Sequence, residues 1–470
     1  MIKNIYLCHL VKENMADKYT ISSKLLGVIS ALITATMLWS CSTFPENELL
    51  INHSHSSRPQ SPEHHDRESE GCRDKVFIIY SMGYNNLSYA LDEDINDMLT
   101  GEIPSFNPKD DALIILSHTT QNNRSNYRTA TSPVLFQAYK TVDGSVKRDT
   151  LIVYPEGSVA ASKDMLEDVL AYIKDAFPAY HYGMLISSHA TGWAPEMYCY
   201  SPPDKSSSGM WMSKEKTFKP LEKYTAERPL TKSIGSHFNG SSSNAYEIEL
   251  QDFVAAIPFH LDYLIFDCCL MGGIEVAYEL KNVCDKICFS QTEILSEGMD
   301  YIRMASHIFG NSEPDIEAIA YDYYSKYAAK YDDGNRSATI SVVDCRKLGP
   351  IADIIKRNRD AIATLADSKE RSSVQRYFQS QYSRNHGMFF DLEDIMIKAG
   401  VPESELTALS NALEECVTCK FATPTFLTYL KIQHHSGFSM YLTDPDRTIL
   451  NSFYTTLEWN KYTQLIKNNE

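Results

Sequence analysis

The amino-acid sequence predicts an α/β fold in which helices lie on both faces of a mostly parallel β-sheet. Two observations lead to this prediction. Short apolar runs, of the kind that form strands buried on both faces, recur along the chain. Segments with apolar residues at helical spacing separate these runs, and such alternation is typical of parallel sheets. The 470 residues, 43% of them hydrophobic, suffice to bury a large core.

The predicted strands and helices alternate along the folded part of the chain. The predicted strands are 75–80, 110–117, 151–154, 182–188, 263–266, 286–290, 338–343 and 437–442. The predicted helices are 88–99, 162–176, 274–280, 315–330, 389–398 and 403–416. Residues 246–257 are predicted to form a helix or the junction between a strand and a helix. Ser162 and Asp164 are both suitable N-caps for the helix at 162–176.

The N-terminal residues 1–41 are predicted to form an export signal. Residues 25–40 carry no charge and follow Lys18 and Lys24, and the run is shorter than a membrane-spanning helix needs. It ends in Leu38-Trp39-Ser40-Cys41, which resembles a bacterial lipobox. We therefore expect lipidation of Cys41, with the protein anchored to a membrane in the periplasm or at the cell surface. A plain signal peptide and an uncleaved anchor are the alternatives.

The composition defines the remaining organisation and the classes of partner. The polar segment 42–73 predicts a flexible linker, and residues 74–470 the folded domain. A formal net charge of -17 argues against nucleic acid and against a polybasic contact with anionic lipid. Cys416 and Cys419 form a C-x-x-C without a second ligand pair at zinc spacing, so they are predicted to be structural. We expect no metal and no cofactor, and the sequence does not decide a requirement for calcium.

Two predicted strand ends carry the residues of a cysteine–histidine pair. One strand leads directly into His189, and the strand at 263–266 leads into Asp267, Cys268 and Cys269. The carboxyl ends of parallel strands meet at one edge of a sheet, where open α/β folds place their sites. An imidazole there can act as the base for a thiol, and the positive end of the following helix favours the thiolate. The alternative is that both cysteines are ordinary buried core residues.

Two motifs in the sequence resemble those of the clostripain family (C11) of cysteine peptidases. Phe266-Asp267-Cys268-Cys269-Leu270-Met271-Gly272 is similar to the family's nucleophile motif, in which an acid and a small residue precede the cysteine. His189-Ala190-Thr191-Gly192-Trp193 is similar to the family's histidine motif. Segments 80–87 and 435–441 also resemble parts of the family pattern. The resemblance therefore extends over residues 75–462.

The resemblance implies a caspase-like α/β/α sandwich and an endopeptidase that cuts polypeptides after Arg or Lys. Cys269 matches the family's nucleophile, and His189 matches its catalytic histidine. Asp267 matches the acid that receives the basic side chain of the substrate, for which a buried carboxylate offers charge-assisted hydrogen bonds. The alternative role for Asp267 is the N-cap of the following helix. Further candidates for this pocket, on the loop after the next strand, are Glu293, Glu297 and Asp300.

Two departures from the family pattern bear on activity. Ala190 replaces a glycine at the place where the N–H groups of Ala190 and Cys269 are expected to bind the oxyanion. If that place needs a positive φ, alanine adds strain. Cys268 beside Cys269 opens a route to oxidation of the nucleophile. A catalytically inactive caspase-like lipoprotein that binds peptides is therefore the alternative function. A thiol redox protein is disfavoured, because a bridge between adjacent cysteines is strained.

The interval 194–243 is predicted to be an exposed insertion or a maturation loop. It is polar and rich in Ser, Lys and Pro. Members of the family are commonly matured by cleavage between histidine and cysteine, and proteolysis concentrates in exposed loops. Lys219 and Arg228 precede proline, which makes a poor scissile bond. The candidate cleavage sites are Lys205, Lys214, Lys216, Lys223 and Lys232. The alternative is a solvated loop that is not cleaved.

Overall fold

The computed structural model describes residues 72–107, 110–120, 129–195, 234–238, 245–378 and 388–467. The chain divides into two units, Met1–Arg67 and Glu68–Glu470, and every described residue belongs to the second. The predicted export signal, the lipidation site Cys41 and nearly all of the predicted linker lie outside the described residues. So do the five lysines predicted as cleavage sites. Within the described ranges, no helix is long and apolar enough to cross a membrane.

The described chain contains both strands and helices in the predicted alternation. The strands, in chain order, are β1 (Arg73–Met82), β2 (Ala112–His118), β3 (Val134–Lys140), β4 (Val146–Val153), β5 (Ala179–Ser187), β6 (Ile234–Phe238), β7 (Ala245–Ile248), β8 (Leu261–Asp267), β9 (Cys284–Phe289), β10 (Thr339–Asp344), β11 (Phe390–Asp391), β12 (Val417–Ala422), β13 (Thr425–Phe426), β14 (Leu430–Lys431) and β15 (Ser439–Met440). The α-helices are α1 (Ser88–Thr100), α2 (Lys163–Ala176), α3 (Leu250–Ala255), α4 (Ile274–Leu280), α5 (Tyr301–Phe309), α6 (Ile316–Ala328), α7 (Leu348–Arg357), α8 (Arg359–Ala366), α9 (Leu392–Lys398), α10 (Glu403–Cys416), α11 (Thr448–Tyr454) and α12 (Glu458–Thr463).

Nine strands form one central sheet in the order β12-β10-β9-β8-β5-β1-β2-β3-β4. The five central strands, from β9 to β2, run parallel to one another. Each is largely an apolar run with little exposed surface, as expected for strands covered on both faces. The prediction of a mostly parallel sheet is therefore confirmed.

Both margins of the sheet are antiparallel, and the sequence analysis missed part of them. β3 and β4 form a hairpin beside β2, and β10 and β12 extend the opposite margin. The predicted strand at 151–154 is the end of the longer β4, whose exposed edge carries charged residues that mask the pattern. β12 was also missed. Cys416 ends α10, while Cys419 lies in β12.

Helices cover both faces of the sheet and enclose two separate hydrophobic cores. Alternate residues of β1 enter opposite cores, with Ile78 in one and Ile79 in the other. One core packs against α2, α4 and the C-terminal helices, and the other packs against α1, α5 and α6. Ser162 caps α2 by accepting a hydrogen bond from the N–H of Met165, as predicted. This layered arrangement is the predicted α/β/α sandwich.

The C-terminal region departs from the predicted elements. The predicted helix at 389–398 begins with the short strand β11, which pairs with β15. The predicted strand at 437–442 contributes only Ser439 and Met440 to that pairing. The helices α5, α7, α8, α11 and α12 were not predicted. Of these, α8, α11 and α12 have eight residues or fewer, which leaves little length for a periodic signal.

Part of the predicted exposed interval 194–243 is buried. β6 lies within it, pairs with β7, and places Ile234 and His237 in the interior. Ile234 is also bridged to Ala190, directly after the candidate histidine. The end of this interval therefore helps to build the site edge of the sheet.

Candidate active site

Three neighbouring parallel strands end at the edge of the sheet where the candidate residues lie. β1 lies beside β5, and β5 lies beside β8. Their register pairs Ser187 at the end of β5 with Asp267 at the end of β8. His189 and Cys269 each follow their strand end by two residues, so they occupy equivalent positions beyond adjacent strands. Because such strands lie about 4.8 Å apart, the fold brings the predicted pair to neighbouring backbone positions.

The loops that carry His189 and Cys269 pack directly against each other. Gly192 has a φ of 63°, and a Cβ atom there would lie 2.6 Å from the carbonyl oxygen of Leu270. Leu270 itself has a φ of 62°, which costs a non-glycine residue roughly 1–2 kcal/mol. Its N–H donates to the carbonyl oxygen of Thr292 at 2.9 Å, which holds the strained turn in place. A strained residue immediately after the candidate nucleophile is typical of an active-site turn.

The two adjacent cysteines lie in different surroundings. Cys268 is 1% exposed, its thiol donates to the carbonyl oxygen of Ile186 at 3.4 Å, and burial raises its pKa well above the ordinary value. Cys269 is half-buried, and the N–H of Ile294 donates to its Sγ at 3.4 Å. An N–H directed at sulfur stabilises negative charge there. Neither cysteine forms a disulfide bond with another described residue, and Cys269 has the access that a nucleophile requires.

The helix that follows the cysteines begins too far along the chain for its positive end to stabilise a thiolate at Cys269. α4 begins at Ile274, and its N-cap is Gly273. Asp267 is therefore not the N-cap, and that alternative was wrong. Four residues separate Cys269 from the helix, and the influence of a helix dipole falls off within one turn. The N–H of Ile294 is therefore the better-supported stabiliser of charge on the thiol.

His189 is half-buried and its ring contacts the loop that follows β1. Its Nε2 lies 2.6 Å from Oδ1 of Asn86, a residue for which the sequence analysis assigned no role. The carbonyl oxygen of His189 accepts a hydrogen bond from the N–H of Gly235 at 2.9 Å. Ala190 is buried and its φ lies outside the left-handed region. The strain considered for alanine at this position therefore does not arise.

Asp267 shares a buried acidic site with a carboxylate that the sequence analysis missed. Asp267 is 5% exposed, and its Oδ2 accepts a hydrogen bond from the hydroxyl of Tyr301 at 2.7 Å. Asp94, on α1, is also buried. A Cβ atom at Gly298 would lie 2.8 Å from Oδ2 of Asp267 and 3.0 Å from Oδ2 of Asp94, so both carboxylates face one point. Oδ2 of Asp94 has no hydrogen-bond partner among the described residues.

Burial and mutual repulsion change the protonation of these two carboxylates. Burial, followed by the negative charge of Asp267, raises the pKa of Asp94 to about 9. Burial also raises the pKa of Asp267, against the hydrogen bond from Tyr301 and the charge of Lys326. The pair therefore holds a proton at neutral pH. A cationic group entering this site would favour the doubly ionised form.

The other predicted pocket acids have different partners. Glu297 is exposed and forms an ion pair with Lys330 at 2.5 Å. Asp300 is the N-cap of α5 and accepts a hydrogen bond from the N–H of Arg303. Glu293 is half-buried, and burial raises its pKa. Among the described residues, Asp94 is the acid that faces the same point as Asp267, and Glu293, Glu297 and Asp300 do not share this site.

A buried carboxylate on α4 connects the two motif loops with the C-terminal segment. Glu275 is fully buried, and its Oε1 accepts hydrogen bonds from the N–H of Tyr441 at 2.8 Å and the hydroxyl of Tyr454 at 2.9 Å. Burial raises its pKa to about 7. The ring of Trp193, from the histidine motif, packs at 5.0 Å from Tyr441 and 4.9 Å from Tyr454. This contact fixes the histidine loop relative to α4.

A buried histidine pair lies beside the same edge of the sheet. His118 ends β2, His237 lies in β6, and their ring centroids are 5.1 Å apart. Burial lowers the pKa of His118 to about 4 and that of His237 to about 3, so both rings are neutral. Among the described residues, no group of three or more His, Cys, Asp or Glu side chains is arranged to hold a metal ion.

The fold and this edge define a class of protein, and comparison with known proteins identifies the family. The sandwich, with a cysteine and a histidine beyond adjacent parallel strands, is the architecture of caspase-like cysteine peptidases. The clostripain family (C11 peptidase) model matches residues 223–465, more than half of the chain. The chain therefore belongs to the clostripain family of cysteine peptidases. The match includes the nucleophile motif and begins after His189.

Solved structures of C11 proteases have the same fold. An inactive zymogen C11 protease from Parabacteroides distasonis is 23% identical, with a TM-score of 0.63 over 83% of this chain and 97% of that one. A secreted C11 cysteine protease from Bacteroides thetaiotaomicron, iotapain, is 22% identical, with a TM-score of 0.62 over 84% of this chain and 100% of that one. A secreted C11 protease from the same organism, bound to an irreversible peptide inhibitor, is 21% identical, with a TM-score of 0.61 over 83% and 99%. A comparison with curated protein sequences gave no match.

Proposed function

We propose that the protein is an endopeptidase that cleaves after Arg or Lys with Cys269 as nucleophile and His189 as acid and base. The observation that carries this proposal is the register of β5 and β8, which sets the two residues at equivalent positions beyond adjacent strands. The half-buried Sγ of Cys269, with the N–H of Ile294 directed at it, supports the choice of nucleophile. The burial of Cys268 argues against the neighbouring thiol.

The reaction follows the chemistry of a thiol nucleophile. His189 takes the thiol proton of Cys269, Sγ attacks the scissile carbonyl carbon, and the negative charge moves to the carbonyl oxygen. The N–H groups of Ala190 and Cys269 stabilise that oxyanion. The C–N bond breaks as the imidazolium of His189 gives its proton to the leaving amine. His189 then takes a proton from water as the water oxygen attacks the thioester carbon; the C–S bond breaks, the acid product leaves, and the proton passes from His189 to Sγ of Cys269.

The acidic site formed by Asp267 and Asp94 supports a preference for a basic residue before the cut. Both carboxylates are more than nine-tenths buried, where a guanidinium or ammonium gains more from a charge than in water. The unpartnered Oδ2 of Asp94 offers an acceptor for an incoming N–H group. An uncharged substrate side chain without a donor would leave Oδ2 of Asp94 unsatisfied, which disfavours it.

Export, lipid anchoring and maturation are part of the same proposal. The signal-like residues 25–40 and Cys41 support an exported lipoprotein. Two related structures are of secreted proteases and one is of an inactive zymogen, which supports export and activation by cleavage. Intact mass of the protein from its host membrane tests both. A diacylated N-terminal Cys41 and a cut within 194–233 are expected, and a single unlipidated chain would contradict both.

Matched cysteine variants of the full chain test the catalytic proposal. Fluorogenic peptides ending in Arg or Lys are expected to be cleaved by the wild type and by Cys268→Ala, and not by Cys269→Ala. Peptides ending in Gln serve as the uncharged control. Equal turnover by Cys269→Ala would exclude this nucleophile. A thiol-directed probe tests the alternative of an inactive peptide-binding lipoprotein: peptide binding without labelling of Cys269 under reducing conditions would favour it.

A further inference from the structure

The loop after β1 holds an exposed asparagine against the imidazole of His189. Oδ1 of Asn86 lies 2.6 Å from Nε2 of His189. An amide oxygen only accepts hydrogen bonds, so Nε2 carries the proton in this contact. That assignment leaves Nδ1 as the basic nitrogen of the neutral ring. The contact therefore selects both the orientation and the tautomer of the imidazole.

The backbone that presents Asn86 is anchored from within the protein. The side chain of the preceding residue, Asn85, is buried and donates to the carbonyl oxygens of Met82 at 2.8 Å and Ser236 at 2.7 Å. Its Oδ1 accepts a hydrogen bond from the N–H of Leu87 at 2.8 Å. Asn86 thus has fixed backbone on both sides, although its own side chain is exposed. A surface residue held in this way keeps its amide near the ring at little entropic cost.

The anchoring also links the asparagine loop to the histidine loop. The hydroxyl of Ser188, next to His189, donates to the carbonyl oxygen of Met82 at 2.8 Å and accepts a hydrogen bond from the N–H of Ser236 at 3.1 Å. The ends of β1 and β5 are therefore joined below the contact between Asn86 and His189. The distance between the amide and the imidazole is consequently set by buried hydrogen bonds.

We propose that Asn86 is a positioning residue that orients His189 and fixes its tautomer during catalysis. This inference rests on the proposed pair of His189 and Cys269. The amide is neutral, so it holds the Nε2–H without adding a negative charge that would retain the proton on the ring. As His189 gains a proton at Nδ1, the hydrogen bond from Nε2 becomes charge-assisted and strengthens. The contact therefore contributes most when the imidazolium is present.

Substitutions at Asn86 separate positioning from a merely structural role. Asn86→Ala is expected to lower kcat by about 10- to 100-fold with KM changed less than threefold, from the usual strength of a hydrogen bond to a charged group. Asn86→Asp restores an acceptor and adds a charge, so it should recover part of kcat and move the histidine limb of the pH profile upward. The matched control is Asn96→Ala, which removes an exposed amide oxygen that accepts from Arg148 at the same 2.6 Å.

Two outcomes keep this inference separate from the proposed dyad. If His189→Ala or Cys269→Ala retains full activity, the dyad itself fails. If both are inactive while Asn86→Ala matches Asn96→Ala in kcat and pH profile, the role of Asn86 fails alone. Long-range nitrogen–proton NMR of the imidazole gives a readout that does not need activity. The wild type should show the Nε2–H tautomer, and Asn86→Ala a mixture; an unchanged tautomer in Asn86→Ala would overturn the inference.

Discussion

Binding of a cation between Asp94 and Asp267 should release a proton. Burial and the neighbouring charge raise the pKa of Asp94 to about 9, so the pair retains a proton at pH 7. An amidinium placed between the carboxylates stabilises their ionised forms and lowers that pKa. Benzamidine, which keeps its charge up to pH 9, is a suitable probe of this site. We expect the release of nearly one proton for each benzamidine bound at pH 7.

The magnitude follows from the gap between the solution pH and the pKa of Asp94. At pH 7 the ligand must displace a proton from Asp94, whose pKa of about 9 lies about two units above the solution pH. At 1.36 kcal/mol per unit, that displacement costs roughly 3 kcal/mol. The dissociation constant should therefore fall by up to about 100-fold between pH 7 and pH 9, with a slope near tenfold per unit.

Calorimetry in two buffers with different ionisation enthalpies measures the proton release directly. In Asp94→Asn the release and the pH slope should both disappear, because the ionisable partner is gone. Asp92→Asn, a half-buried acid on the same helix whose charge is not among those that raise the pKa of Asp94, is the matched control and should behave as the wild type. Binding without proton release at pH 7, or an unchanged slope in Asp94→Asn, would refute the reasoning.

Three further predictions follow from other buried groups. Burial raises the pKa of Glu275 from 4.5 to about 7, so the folded protein loses stability as the pH rises through this window. Relative to the wild type, Glu275→Gln should therefore gain up to roughly 3 kcal/mol in free energy of unfolding between pH 5 and pH 8. An equal difference between the two proteins at both pH values would contradict this. Because burial lowers the pKa values of His118 and His237, these histidines take up protons in the unfolded chain but not in the folded protein as the pH falls from 6.5 to 4. The melting temperature should therefore fall over that pH range, and it should fall less in His237→Phe than in the wild type. Lys326 donates to three consecutive carbonyl groups beside Gly298, so Lys326→Met should raise KM for Arg peptides several-fold with a smaller effect on kcat, and an unchanged KM would exclude a role in shaping the acidic site.

The central part of the fold was predictable because its strands are buried on both faces. Runs such as the one ending at Asp267 contain enough consecutive apolar residues to be read without any periodic signal. The hairpin of β3 and β4 lies at the margin, and the exposed residues of β4 interrupt its pattern. The short C-terminal helices gain their stability from tertiary packing, for example that of Trp459 against Tyr278, which sequence periodicity does not reveal.

The candidate site was predictable in part. The motifs identified His189, Cys269 and Asp267, but no residue pattern revealed that Asn86 meets the imidazole, since that contact depends on the relative placement of two strand ends. Asp94 did carry a signal. It lies three residues after Leu91 and four before Met98, on the buried face of α1, where an acid requires an explanation.

The residue types in the motif predicted backbone strain at a different position from the one where it occurs. The replacement of glycine by Ala190 drew attention to a position whose φ is ordinary. The strained residue is Leu270, whose type gives no indication of a positive φ. Such strain is imposed by the surrounding structure, here by the hydrogen bond from Leu270 to Thr292 and the packing of Gly192, and it is therefore invisible in a local pattern.

Covalent labelling of the thiol is the most direct test of the central claim. An irreversible peptide acyloxymethyl ketone ending in Arg should alkylate Cys269, and peptide mass mapping of the labelled protein should locate the adduct on its Sγ. Cys268→Ala should be labelled as fast as the wild type, while Cys269→Ala and the wild type treated with a Gln-ending analogue should remain unlabelled. An adduct on Cys268, or none on Cys269 in reduced, folded protein, would contradict the assignment of Cys269 as the nucleophile.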